Sequence, residues 1–155
     1  MAGTLVIVPC GQTKIWSKYP LAGAVEARDA YIGGPFKVNR SYAERFADRW
    51  LILSAKYGLL DPGILIPENY NVTFKDPRSG PVDVATLRQQ VEEMGLTSYD
   101  PIIVLGGMEY QLAARAAFAN HADLLHMPFA GLPIGKAMQA TNRAIASGNP
   151  FAVTR

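Results

Sequence analysis

The chain has 155 residues, of which 49% are apolar and 18% charged, and its formal net charge is +2. That balance excludes a disordered polymer, and the length suits one domain with a real core better than two. The weak positive charge excludes a general nucleic-acid coat, and no apolar run reaches the roughly 20 residues needed to span a bilayer.

The first element is an apolar run from Thr4 to Pro9. It follows no basic segment, so it reads as a strand rather than a secretion signal, and a cytoplasmic protein is expected. It ends in "PCGQTK". Cys10 is the single cysteine, which excludes an internal disulfide, and His121 and His126 are the only histidines. A Cys/His zinc site is therefore not expected, and neither a metal nor a cofactor is assigned. After a Gly33-Gly34-Pro35 break, Phe36, Tyr42, Ala43, Phe46 and Trp50 step round one helical face.

The second strand, Trp50 to Ala55, runs into "SAKYGLLD". The segment from Asp61 to Pro81 has no period and is rich in Pro, Gly, Asn and Asp; a loop that long is more often functional than idle. In "DVATLRQQVEEMG" the residues Val84, Leu87, Val91 and Met94 have helical spacing, with Asp83 placed as N-cap and Gly95 where a C-cap belongs. A third strand, Pro101 to Leu105, ends in "GGMEY". It leads to a helical face of Tyr110, Ala113, Ala114, Ala117 and Phe118. The fourth, Ala122 to Met127, ends in "PFAGLPIGK" before a helix carrying Ile134, Ala137, Met138 and Ile145.

The strands are nearly continuous in Leu, Ile and Val, as in strands covered on both faces. Strands alternating with helices imply crossover connections. The expectation is α/β: a single three-layer domain over residues 1–155 with a four-stranded, mostly parallel sheet.

Ligands of such sheets bind beyond the carboxyl ends of the strands. There Gly11, Gly106, Gly107 and Gly131 would let backbone N–H groups approach an anion or a flat ring. "GLPIGK" lacks the spacing and the Ser or Thr of a Walker A loop, and neither GxGxxG nor GxSxG occurs. Cys10 reads as a small buried thiol, and His126 as a core histidine with its hydrogen bonds satisfied. Lys14 and Lys56 each follow a strand end, where together they would hold a phosphate or stabilise developing negative charge. Asp61, Glu68 and Asp29 are the candidate carboxylates. Asn69, Tyr70, Asn71 and Thr73 add amides that read base edges and a ring that stacks on them.

"VPCGQTK", "DAYIGGPFKVNRSYAERFADRWLILSAKYGLLDP" and "NYNVTF" together resemble a family of short bacterial and phage proteins. That family is distantly similar to the bacterial peroxide-stress protein and to a domain of archaeal tRNA-guanine transglycosylases. The resemblance implies a uracil-DNA-glycosylase-like fold. Its shared polar positions are Cys10, Lys14, Asp29, Tyr31, Arg40, Tyr42, Ser54, Lys56, Tyr57, Tyr70 and Thr73. Many relatives carry an aspartate where this chain has Asn71, and an amide cannot act as a general base. The Gln-Asp-Pro-Tyr signature of uracil-DNA glycosylases is replaced here by "GQTK".

The resulting expectation is an N-glycosidase, resembling a DNA glycosylase, that acts on a damaged or hypermodified base. Asp61 or Asp29 would face the oxocarbenium-like sugar, and Lys14 or Lys56 the departing base. Asn71 would read that base and Tyr57 or Tyr70 stack on it, with Cys10, Gly11, Ser54, Gly106, Gly107 and Gly131 completing the pocket. The expected partner is a nucleotide or a nucleic-acid base, with DNA a candidate and no membrane. The alternative is a protein that binds nucleotide or damaged DNA without turnover.

Overall fold

The computed structural model describes residues 3–153. In chain order the strands are β1 (Leu5–Pro9), β2 (Val25–Glu26), β3 (Arg49–Ser54), β4 (Gly58–Leu60), β5 (Leu65–Ile66), β6 (Ile102–Val104) and β7 (Leu125–His126). The helices are α1 (Ala27–Ala30), α2 (Gly34–Phe46), α3 (Val84–Glu93), α4 (Met108–Ala117) and α5 (Ile134–Ser147).

The four apolar runs line up side by side and parallel, in the order β3-β1-β6-β7. The sheet is nevertheless five-stranded and mixed. Gly58–Leu60 folds back antiparallel to β3, pairing Ser54 with Gly58 and Ile52 with Leu60. The four-strand expectation missed it because "GLL" is too short for a periodic signal and looks like the tail of the strand before it. Gly58 makes the reversal, at φ +72°. Gln90 on α3 clamps the turn, donating to the Tyr57 carbonyl at 2.9 Å and accepting from Leu59 N at 2.8 Å.

Every residue of β1 is buried, and its side chains alternate between two cores. Val6 and Val8 pack with Phe36, Tyr42 and Ala137 from α2 and α5. Leu5 and Ile7 pack with Leu87, Val91 and Ala114 from α3 and α4. A layer of helices thus covers each face, which is why the strands show no polar alternation.

The expected caps of α3 are present. The Asp83 side chain accepts from Thr86 N at 2.8 Å, and Gly95 follows the helix at φ +64°. Trp50 is a correction: α2 ends at Phe46, and Trp50 pairs with Val6 inside the sheet. The Asp61–Pro81 insert is not wholly irregular, since β5 pairs antiparallel with β2, and Pro77–Ser79 forms a 3₁₀ turn. No described helix is long and apolar enough to cross a membrane.

Candidate functional site

The connection from β1 to β3 carries α2 on one face of the sheet, and the next connection carries α3 on the other before reaching β6 on the far side of β1. The carboxyl end of β1 is therefore where the chain's connections diverge, the usual place for a crevice in an α/β sheet. A cleft of about 100 Å³ opens there. Cys10, Gly11, Gln12 and Lys14 form the wall that follows β1, and Ala55 follows β3. Asn71, Val72 and Thr73 come from the insert, and Tyr110 from the first turn of α4. The insert is held against the strand end by Val82 N donating to the Ala55 carbonyl at 2.7 Å.

Beneath the cleft lies a line of hydroxyls. Ser54 is fully buried, and its Oγ accepts from Lys56 N and from Tyr57 N, each at 3.2 Å. A hydroxyl oxygen has two acceptor sites, so with both taken Ser54 donates its proton to Tyr70 Oη, 2.9 Å away. Tyr70 Oη also shares a hydrogen bond with Tyr31 Oη. The segments "SAKYG" and "NYNVTF" are joined here: one supplies the acceptor that fixes the turn, the other the ring above it. Burial pushes both the Tyr31 and the Tyr70 phenols well above the usual tyrosine range.

Lys14 is the buried charge of the site, with only 8% of its surface exposed. Its backbone bridges to Tyr31, so the side chain starts from a fixed point. Nζ donates to the Gln12 carbonyl at 3.2 Å and lies 4.3 Å from the centre of the Tyr70 ring. It pairs with no described carboxylate. A ring face and one carbonyl replace only part of a lysine's hydration. Loss of water accordingly holds its ammonium below the ordinary lysine value.

Cys10 is buried as expected. Its thiol donates to the Gly11 carbonyl at 3.2 Å and lies 3.7 Å from Tyr110 Oη. Burial raises both the Cys10 and the Tyr110 values, so the thiol is not an activated thiolate.

The structure brings Cys10, Gly11, Lys14 and Asn71 to the cleft walls, with Ser54, Tyr57 and Tyr70 packed behind them. Lys56 is exposed, its ammonium 5.4 Å from the Tyr70 ring and 5.3 Å from the Tyr57 ring. Asp29 and Asp61 are not among the walls. Asp29 on α1 pairs with Arg40 at 3.5 Å, and the Asp61 carboxylate closes its own turn by accepting from Gly63 N at 2.9 Å. Gly106 and Gly107 shape the approach without lining it. A side chain at Gly106, φ +124°, would press on Pro9 and on Tyr110, and Gly107 caps α4. Gly131 turns the exposed loop before α5, away from the walls. His126 is a second correction, because its Nε2 is buried with no hydrogen-bond partner.

Gln12, Val72 and Tyr110 were not singled out by sequence. The signal for Tyr110 was available: a first-turn residue of a helix that begins at a strand's carboxyl end faces the rim even when its spacing matches the core stripe. A larger hollow, about 420 Å³, lies between the carboxyl-terminal halves of α3 and α4. Its polar walls, Arg88, Glu92, Asn120 and His121, are all solvent-exposed. It opens at the opposite end of α4 from Gly107, so we place the site in the smaller cleft. No cluster of His, Cys, Asp and Glu able to hold a metal occurs among the described residues.

A family model described as "Family of unknown function (DUF6884)" matches residues 5–143. The chain belongs to this family. The DUF6884 match runs from β1 into α5 and contains every residue of the cleft. The uncharacterized protein YfjM of Bacillus subtilis (strain 168) is 38% identical over 141 residues, covering 91% of this chain and 94% of that protein. No solved structure matches.

Proposed function

We propose that this chain is a base-processing protein with a uracil-DNA-glycosylase-like fold, which holds the base of a nucleotide or nucleic acid in the Lys14 cleft and breaks its N-glycosidic bond. The observation that carries the reading is the buried ammonium of Lys14, unpaired with any described carboxylate and forming a wall of the cleft beside Asn71 and Thr73. Charge that develops on a departing base is stabilised best by a cation whose own water has already been removed. The cleft's size fits one ring and not a whole nucleotide, so the sugar and phosphate would lie over the rim. In a duplex the base would have to leave the stack to enter.

The four parallel strands, covered by helices on both faces, support the fold assignment. Asn71 offers both a donor and an acceptor to a base edge. Lys56, outside the cleft and free of carboxylate partners among the described residues, is placed for the phosphate side of the ligand.

One observation favours a second reading, binding without turnover. No carboxylate lines the cleft, and both Asp29 and Asp61 are engaged elsewhere. The test is to incubate the protein with normal, oxidised and hypermodified DNA and with free nucleotides, and to look for released bases by mass spectrometry. Base release that is lost in Lys14→Met supports N-glycosidic cleavage. Release that survives Asp29→Asn together with Asp61→Asn removes both carboxylates from the mechanism. Ligand binding with no release, across the whole panel, establishes the second reading.

A further inference from the structure

The surroundings of Lys14 suit more than charge stabilisation. An ordinary lysine has a carboxylate beside its amine or water around it, and Lys56 at the rim is exposed to water. Lys14 has neither. Its amine is held by a single carbonyl and a ring face, its backbone is bridged to Tyr31, and it borders the space that the ligand enters. Desolvated amines are the ones that add to carbonyl carbons, because the neutral form is enriched and no counter-ion restrains it.

We propose that Lys14 is also an imine-forming nucleophile, and that the site takes nucleic-acid strands bearing an abasic sugar and cleaves them as a lyase. This rests on the base-release reading and extends it by one step. As the C1′–N bond breaks, its electron pair leaves with the base, which takes a proton from the Lys14 ammonium. Water adds at C1′ and gives its surplus proton to solvent, and the sugar opens to an aldehyde. The amine just generated adds to that aldehyde, takes up one proton from solvent and loses water, forming a protonated imine. Loss of the C2′ proton to solvent then expels the 3′ phosphate with the C3′–O electron pair. Water hydrolyses the imine and returns the free amine, and no oxidant or reductant is consumed. The direction of the Lys14 shift suits both roles, since a lowered value makes the ammonium the better acid and leaves more free amine afterwards.

The experiment uses the full chain and oligonucleotides, single- and double-stranded, in which one abasic site has been made beforehand. Sodium cyanoborohydride is included to reduce any imine to a stable secondary amine. The expected result is a protein–DNA adduct on a denaturing gel, mapped by peptide mass spectrometry to Lys14 in the unaltered protein and absent in Lys14→Arg. No adduct, or an adduct mapped to a different lysine, overturns the proposal. Mapping in the unaltered protein keeps the test valid even where the arginine variant folds poorly. Because the abasic site is supplied, the outcome is independent of base removal. Base release without an adduct refutes the lyase step alone, whereas an adduct on Lys14 without base release supports that step and refutes the glycosidase reading.

Discussion

Replacing Tyr70 with phenylalanine keeps the ring over which Lys14 lies and removes only the hydroxyl at the centre of the Ser54–Tyr70–Tyr31 line. Two links disappear at once: Ser54 loses its acceptor and Tyr31 loses its hydroxyl partner. At about 1 kcal/mol net for each neutral hydrogen bond, Tyr70→Phe should cost about 2 kcal/mol. Tyr31→Phe breaks one link and should cost about 1 kcal/mol. The double variant should cost about 2 kcal/mol rather than 3, because the bond that Tyr31→Phe removes is already gone. Urea titration of the four proteins measures this. With a slope near 2 kcal/mol/M, the Tyr70→Phe midpoint should fall by about 1 M. Costs that add to within about 0.3 kcal/mol would refute the shared line of protons.

Other outcomes follow from the same geometry. Burial raises the titration of Cys10, Tyr31, Tyr70 and Tyr110, so the native state keeps protons that the unfolded chain sheds. Their contribution is complete below the unfolded values and is lost as pH rises past them, so Tm should fall with pH above about pH 8.5, where the unfolded cysteine ionises, and more steeply above about pH 10, where the unfolded tyrosines do. Lys14, shifted down, acts in the opposite sense, its contribution growing with pH only until the unfolded lysine value is reached. Gly58→Ala should destabilise by about 1–2 kcal/mol for its positive φ, with a further cost because the new Cβ meets the Gln90 side chain that clamps the turn. A chevron or urea curve within error of the parent would contradict that account of β4. Asp83→Ala should lower the thermal melt by removing the side-chain cap on Thr86 N.

Much of the sheet was legible because Leu5–Pro9, Ile102–Val104 and the last four residues of Arg49–Ser54 are buried, leaving apolar runs without polar alternation. β4 was not, since three residues cannot show a period and its antiparallel turn depends on Gln90, some thirty positions away. The short β2–β5 pair was hidden for the same reason, as two-residue strands are set by their partner. Within the site, Cys10, Lys14, Ser54 and Asn71 were legible from position alone, each falling just past a strand or inside the insert. The carboxylates were misplaced because sequence gives residue type without direction. Arg40 on α2 claims Asp29, and the Asp61 carboxylate closes its own turn. Lys14 and Lys56 look alike in sequence and differ in burial, which only the Tyr31 bridge and the Tyr70 ring decide.

The central claim is that the ligand enters the cleft at the end of β1. Titration of a ¹⁵N-labelled sample with mononucleotides and short single-stranded DNA, followed by amide chemical shifts, tests it most directly. The account predicts that the largest changes fall on Gly11, Gln12, Ala55, Asn71, Thr73 and Tyr110, and that they vanish in Lys14→Met. Changes centred on Arg88, Asn120 and His121 between α3 and α4, or no changes with any of these ligands, would contradict it.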